Sequence, residues 1–191
     1  MESADKQFVR DEYMSEYCSA LAKAIDSTRA VGFDVPDFAI ELKSFLTMPA
    51  MERMHQRVGE YIEKNQLTVE AVGLRCAPLH LALKPVIDEA LGCSTLLTLG
   101  AVQFDDDVFF MPTSMDIDAL AQAGNYHVWL TLPSCEVIDL TLTSALYLKK
   151  RLKPSMAGIP LMMRPEANPK MRWSPLLVGN GVVERLLSHF M

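Results

Sequence analysis

Two apolar segments separated by a short turn place the tightest limit on the fold of this chain. Residues 126–132 read YHVWLTL and residues 136–142 read EVIDLTL, and both segments alternate in the way that is typical of β-strands. The intervening sequence, PSC, contains two residue types that favour turns. The pattern therefore predicts an antiparallel hairpin, and the segment that contains it belongs to a sheet.

The register of this hairpin decides which polar side chains meet. A three-residue connection places His127 opposite Thr141, so that His127 and Asp139 lie on one face as diagonal neighbours, about 7–8 Å apart between backbones. A two-residue connection would place them on opposite faces. The hypothesis of a contact between the imidazole and the carboxylate therefore requires the longer connection.

Helical spacing of apolar residues dominates the chain before the hairpin. The N-terminal part, residues 1–68, contains three such stretches, which predict a helical outer layer. They are residues 11–25, 36–46 and 48–66. Residues 73–92 predict a fourth helix, with Pro78 in its first turn, Gly92 as its C-terminal cap and a kink at Pro85.

Strand patterns begin after this helix. CSTLLTLGAVQF, starting at Cys93, and DDDVFFMP, starting at Asp105, predict two short strands. ALYLKKRL after the hairpin fits either a strand or a short helix, and residues 151–191, rich in proline, predict an irregular covering segment that ends in a helix. We expect residues 1–191 to form a single α+β domain whose core spans residues 69–150.

A histidine beside a carboxylate suits proton transfer when a nucleophile is near. The carboxylate fixes the tautomer of the imidazole and favours its charged form, which leaves the second ring nitrogen for a thiol or hydroxyl group. Cys76 is the best candidate, because the free N–H groups and the dipole at a helix start favour a thiolate. Cys135 is a rival thiol that lies close to the hairpin bend, away from a helix start.

These residues resemble those of the transglutaminase-like enzymes within the papain-like cysteine-enzyme group. The resemblance rests on a cysteine that opens a helix ending in ALG, then H-x-W on one strand and I-D-x-T on the next. It covers about residues 70–145. It implies a cysteine helix packed on an antiparallel sheet, with Cys76 as the nucleophile, His127 as the general base and acid, and Asp139 as the residue that orients His127.

The resemblance also implies a reaction class. A cysteine hydrolase, protease or acyltransferase of this kind forms a thioester with a peptide, protein or small amide substrate, and water or an amine resolves it. The backbone N–H of Cys76 would stabilise the oxyanion, together with a side chain such as Gln66 or Gln103. Trp129 is interpreted as a packing residue that flanks the site and as a candidate substrate contact. His80, four residues after Cys76 on the same side of the helix, is close enough to contact it, but is interpreted as a helix-surface or capping residue.

The alternative hypothesis is a protein-interaction module that has this fold without its chemistry. Cys18 and Cys93 are expected in the core, and all four cysteines are expected as free thiols. The three aspartates at 105–107 are typical of a solvated turn, so we expect no metal, and the lack of a glycine-rich phosphate loop predicts no nucleotide cofactor.

Composition limits the partners. The net charge is −6, with lysine and arginine scattered along the chain, so nucleic acid is not an expected partner. The sequence has no apolar run of the roughly 20 residues that span a bilayer, and the N-terminus does not resemble a signal peptide. These observations predict a cytoplasmic protein that does not bind membranes.

Overall fold

The computed structural model describes residues 15–190, which form an α+β fold with helices on both faces of an antiparallel sheet. Seven α-helices lie within these residues. In chain order they are α1 (Glu16–Ala30), α2 (Met48–Lys64), α3 (Val69–Gly73), α4 (Cys76–Leu91), α5 (Ile117–Ala123), α6 (Leu142–Leu148) and α7 (Asn180–Leu187).

Six strands make up the sheet in the described part of the chain. They are β1 (Leu96–Phe104), β2 (Asp107–Phe110), β3 (His127–Thr131), β4 (Val137–Asp139), β5 (Leu161–Met163) and β6 (Met171–Val178). The long strand β1 pairs with β6 along one edge. Its other edge pairs first with β3 and then with β2, and β4 and β5 continue the sheet beyond β3.

The two faces of the sheet bury separate sets of apolar side chains. One face packs Val128 and Leu130 of β3 against α2, α4 and α7. The other packs Trp129 against Tyr17 and Leu21 of α1. Because side chains of a strand alternate between faces, His127 lies on the same face as Trp129.

The helix predicted for residues 36–46 is wrong. These residues have no helical structure, and Leu42, predicted on an inner face, is 85% exposed. The segment is held by hydrogen bonds to the hairpin turn instead: Ser44 Oγ and the Phe45 N–H both donate to the buried Glu136 carboxylate. Burying a carboxylate without hydrogen-bond donors costs a large amount of free energy. The hydrogen bonds to Glu136 therefore outweigh the local preference of this segment for a helix.

The predictions for the chain ends are partly corrected. Residues 48–66 and 73–92 contain α2 and α4 as predicted, and α4 continues through Pro85. The irregular segment predicted for residues 151–191 instead supplies β6, which pairs with most of β1. The N-terminal helices do not form one layer, because α1 and α2 pack on opposite faces of the sheet. Residues 11–14 of the first predicted helix lie outside the described residues.

The prediction that all cysteines are free thiols is wrong for one pair. Cys18 of α1 and Cys135 in the hairpin turn form a disulfide, with their Cα atoms 5.8 Å apart. Cys76 and Cys93 are free. Disulfides are rare in reducing compartments, and the cytoplasmic location stays a prediction. Between residues 15 and 190 no helix is long and apolar enough to cross a membrane.

Candidate active site

The hairpin has the register that a three-residue connection requires. Leu130 pairs with Ile138, and the Leu132 N–H donates to the Glu136 carbonyl. Cys135 adopts a left-handed conformation with φ 60°, which is the usual way to close such a connection. His127 and Asp139 therefore lie on the same face.

His127 and Asp139 form a hydrogen-bonded pair inside the protein. The distance from His127 Nε2 to Asp139 Oδ2 is 2.8 Å, and both residues are buried. Asp139 Oδ2 also accepts from Trp173 Nε1, while Oδ1 accepts from the backbone N–H groups of Thr141 and Leu142 at the start of α6. Both carboxylate oxygens are satisfied, and the helix start further favours their negative charge.

The charges of this pair are coupled. Burial alone would lower the pKa of His127, but the charge and hydrogen bond of Asp139, with a smaller contribution from Cys76, raise it to about 10. Burial alone would raise the pKa of Asp139, but His127, His80 and Trp173 lower it to about 2. At neutral pH the pair is therefore an imidazolium bound to a carboxylate.

Cys76 is the first residue of α4, as the sequence predicts. Its side chain is partly exposed, and no side chain caps the helix, which leaves the first-turn N–H groups available. The Cys76 thiol lies close enough to raise the pKa of His127 through hydrogen bonding and charge. Within the described residues, however, His127 Nδ1 makes no hydrogen bond of standard geometry. A loose approach of the sulfur to Nδ1 accounts for both facts, and such contacts tighten when substrate binds.

His80 contributes to the site in a way that sequence reasoning missed. It is fully buried, and its Nδ1 lies 2.7 Å from the Cys76 carbonyl, while its Nε2 accepts from the Leu140 N–H at 2.9 Å. The donor at Leu140 requires an unprotonated Nε2, so Nδ1 carries the proton and donates to Cys76. His80 thus ties the start of α4 to the end of β4, which carries Asp139. Its place four residues after Cys76 was the only sequence signal.

Aromatic rings surround His127. Phe110 of β2 stacks on the imidazole with ring centroids 4.8 Å apart. Burial and then the charge of Cys76 raise the pKa of Tyr126, the residue before His127, to about 12. Trp173, like His80, was not predicted, because no local pattern connects a residue of β6 with Asp139.

Two of the three predicted substrate or oxyanion residues, Trp129 and Gln103, make contacts elsewhere, and the role of Gln66 stays a prediction. Trp129 is completely buried and donates through Nε1 to Tyr17 Oη at 2.7 Å, so it packs and cannot touch a substrate. Gln66 is exposed in the turn after α2. Gln103 donates to the Asp105 carbonyl and lies three positions along β1 from Gly100, the partner of His127. That separation is about 10 Å along β1, and the Gln103 amide group is already engaged by the Asp105 carbonyl.

Two surface clefts lie apart from Cys76. One, of about 420 Å³, lies between α2 and the end of α4 and is lined by Arg53 and Glu89. The other, of about 370 Å³, is lined by Tyr17 and Trp173. Neither includes Cys76, although Trp173 connects the second cleft to Asp139. The chemistry of the cysteine and its histidine, rather than cleft size, identifies the candidate site.

Comparisons of the chain with protein-family models, with curated proteins and with solved structures found no match.

Proposed function

We propose that this protein is a cysteine-dependent hydrolase or acyltransferase with a transglutaminase-like core. One observation carries the proposal: a buried imidazole is held by Asp139 through Nε2, and its other nitrogen is left for the thiol of Cys76 at a helix start. A packing histidine has no need of this arrangement, whereas a proton-transfer residue does.

The reaction proceeds in two steps. The Cys76 thiolate attacks the acyl carbon of an amide, a C–S bond forms, and the C–N bond breaks as the His127 imidazolium gives its proton to the leaving amine. The product is a thioester and a neutral His127. Water, or an acceptor amine, then attacks the thioester, gives a proton to His127 and releases the thiolate.

The oxyanion of each tetrahedral intermediate needs donors at the helix start. The N–H groups of Cys76 and Ala77 belong to the uncapped first turn of α4, while Pro78 has no N–H. His80 holds the carbonyl of Cys76, which orients the peptide groups of this turn. We therefore assign the oxyanion contact to backbone N–H groups rather than to a glutamine side chain.

A turnover assay tests the proposal. With p-nitrophenyl acetate as an activated acyl donor, we expect an acetyl thioester on Cys76, detectable by mass spectrometry, and slow release of acetate. Cys76→Ser should reduce turnover by about 10²–10³-fold, because a serine hydroxyl is far less ionised. Cys93→Ser is the matched control and should behave as the wild type, since burial and then Asp88 raise the pKa of this thiol to about 11. Equal turnover in Cys76→Ser would contradict the proposal.

A second function, a protein-interaction module without catalysis, is favoured by exposed apolar side chains. Leu42 is 85% exposed and Leu74, two residues before Cys76, is 77% exposed. Alkylation by iodoacetamide separates the two functions. An enzyme should react faster at Cys76 than at Cys93 at neutral pH, whereas a binding module should show two thiols that react equally slowly.

A further inference from the structure

Positive charge lies at the rim of the candidate site. α6 ends at Leu148 and is followed by the sequence KKR, and α6 packs against α3, the short helix that leads into Cys76. The packing is tight, since a Cβ atom on Gly73 would lie 2.9 Å from the Ser144 carbonyl carbon. The end of α6 and the start of α4 are therefore held side by side.

Lys149 is held near the catalytic pair by a contact with an aromatic ring. Its Nζ lies 5.1 Å from the centroid of the Phe110 ring, whose other neighbour is the imidazole of His127, at 4.8 Å between centroids. Together these distances place the ammonium within roughly 10 Å of His127, about one Debye length at ordinary ionic strength. The contact with the ring holds the flexible lysine side chain near this position.

The turn after Lys149 fixes its backbone. The N–H of Arg151 donates to the Leu146 carbonyl and that of Lys150 donates to the Tyr147 carbonyl, which is the Schellman arrangement at a helix end. Lys150 takes the left-handed conformation, φ 59°, that this arrangement requires. Lys149 therefore does not move freely with a flexible loop.

The charge of Lys149 is not neutralised by its surroundings. Arg151 pairs with Asp107, so that the neighbouring acid is already occupied. Among residues 15–190 Lys149 has no ion-pair partner, and the same holds for Arg75, the exposed residue directly before Cys76. In a protein of net charge −6, one unpaired cation near His127 and another directly before Cys76 in the chain are a local excess of positive charge.

We propose that this rim selects acidic polypeptide substrates, with a glutamate or aspartate carboxylate beside the acyl group that Cys76 attacks. The inference rests on the proposed function and names its substrate class. Cys76 is partly exposed at the start of α4, so a polypeptide segment lying across the surface can reach its thiol. Lys149 and the exposed Arg75, which directly precedes Cys76 in the chain, supply the charge that such a segment meets.

The test compares two alkylating reagents that differ in charge. At low ionic strength, the ratio of the rate constants of iodoacetate and iodoacetamide at Cys76 should fall about fourfold in Lys149→Glu and about twofold in Lys149→Gln, from an unscreened Coulomb interaction at roughly 10 Å in water. The decrease in this ratio should disappear in 1 M NaCl, where charges are screened over about 3 Å. Lys43→Glu is the matched control: it makes the same change of charge next to the hairpin turn, and the ratio should stay at the wild-type value. Lys43 pairs with Glu41, whose N–H donates to the Pro133 carbonyl, roughly 20 Å from His127 along β3.

A second measurement tests the polypeptide itself. An acetylated glutamate-rich peptide should protect Cys76 from iodoacetamide better than its glutamine counterpart, and Lys149→Glu should remove the difference. Ratios that are equal in Lys149→Glu and Lys43→Glu, or equal protection by both peptides, would overturn the inference while rapid alkylation of Cys76 still supports the proposed function. A Cys76 that reacts no faster than Cys93 would contradict the proposed function itself.

Discussion

Two buried histidines at the candidate site have opposite protonation states. Burial, the largest effect, lowers the pKa of His80 to about 4, because Asp139 and the Cys76 carbonyl compensate only in part. At His127 the direct bond to Asp139 overcomes burial and raises the pKa. The neutral histidine therefore holds the backbone together and the charged one faces the thiol.

The pKa of His80 predicts acid sensitivity. The folded value lies below the unfolded value of about 6.5, so the unfolded state binds the extra proton and stability falls as the pH drops from 6.5 to about 4. Because glutamine cannot titrate, the free energy of unfolding of His80→Gln should fall by about 3 kcal/mol less over this pH interval than that of the wild type. Urea denaturation at each pH measures this difference. His55→Gln, on the exposed side of α2, is the control and should keep the wild-type dependence. An unchanged pH dependence in His80→Gln would show that His80 is not buried as a neutral group.

The positions of single site residues were predictable where a local sequence pattern determines them. The helix start at Cys76, and the alternation that sets His127 and Asp139 on one face, are both visible in the sequence. Trp173 and Phe110 were not predictable, because they reach the pair through strand pairings set by the whole sheet. Trp129 was predictable as a packing residue only, and its complete burial excludes a contact with substrate.

At the scale of elements, the site depends on the close approach of β1 and its two neighbours. Gly100 pairs with His127 on one side and with Pro175 on the other, beside an irregularity in the pairing of β1 with β6. A Cβ atom on Gly100 would overlap the Ser174 carbonyl oxygen and lie 2.9 Å from the Trp129 ring. Glycine is therefore required for the sheet to pack at this point.

This packing predicts a destabilised variant. Gly100→Ala should lower the free energy of unfolding by roughly 2–4 kcal/mol, because the backbone of β6 must move. Gly59→Ala is the matched control: its Cβ would meet nothing within 4 Å, and in the middle of α2 alanine should raise stability by about 0.5–1 kcal/mol. Urea denaturation measures both changes. A loss below about 0.5 kcal/mol in Gly100→Ala would contradict the close contact.

Helices and strands were predictable where the spacing of apolar residues agreed with the residues that begin and end the element. Residues 76–91 have an apolar face, a first-turn proline and a C-terminal glycine, and they form α4. Residues 36–46 have helical spacing too, but the distant Glu136 carboxylate takes their hydrogen-bond donors. Strand β6 was not predicted, because prolines are unusual inside strands. Pro175 nevertheless lies within β6, beside an irregularity in its pairing with β1.

At the scale of the whole molecule, the site joins segments far apart in the chain. α4 supplies Cys76 and His80, the hairpin supplies His127 and Asp139, and β6 supplies Trp173. The disulfide between Cys18 and Cys135 fastens α1 to the turn of this hairpin, across 117 positions of sequence. Such a distant pairing has no local signal, which is why the cysteines were expected to be free. The α+β class was predictable from local patterns, whereas the arrangement of layers was not.

The account depends most on a charged His127 held by Asp139 beside Cys76. Nitrogen-15 NMR of the imidazole measures this state directly, at about pH 8 and in the absence of substrate. We predict that both ring nitrogens of His127 are protonated in the wild type, and that Asp139→Asn leaves a neutral ring, because burial, the largest effect, then lowers the pKa against only the smaller contribution of Cys76. A neutral His127 in the wild type at this pH, or a charged ring that is unaffected by Asp139→Asn, would contradict the account.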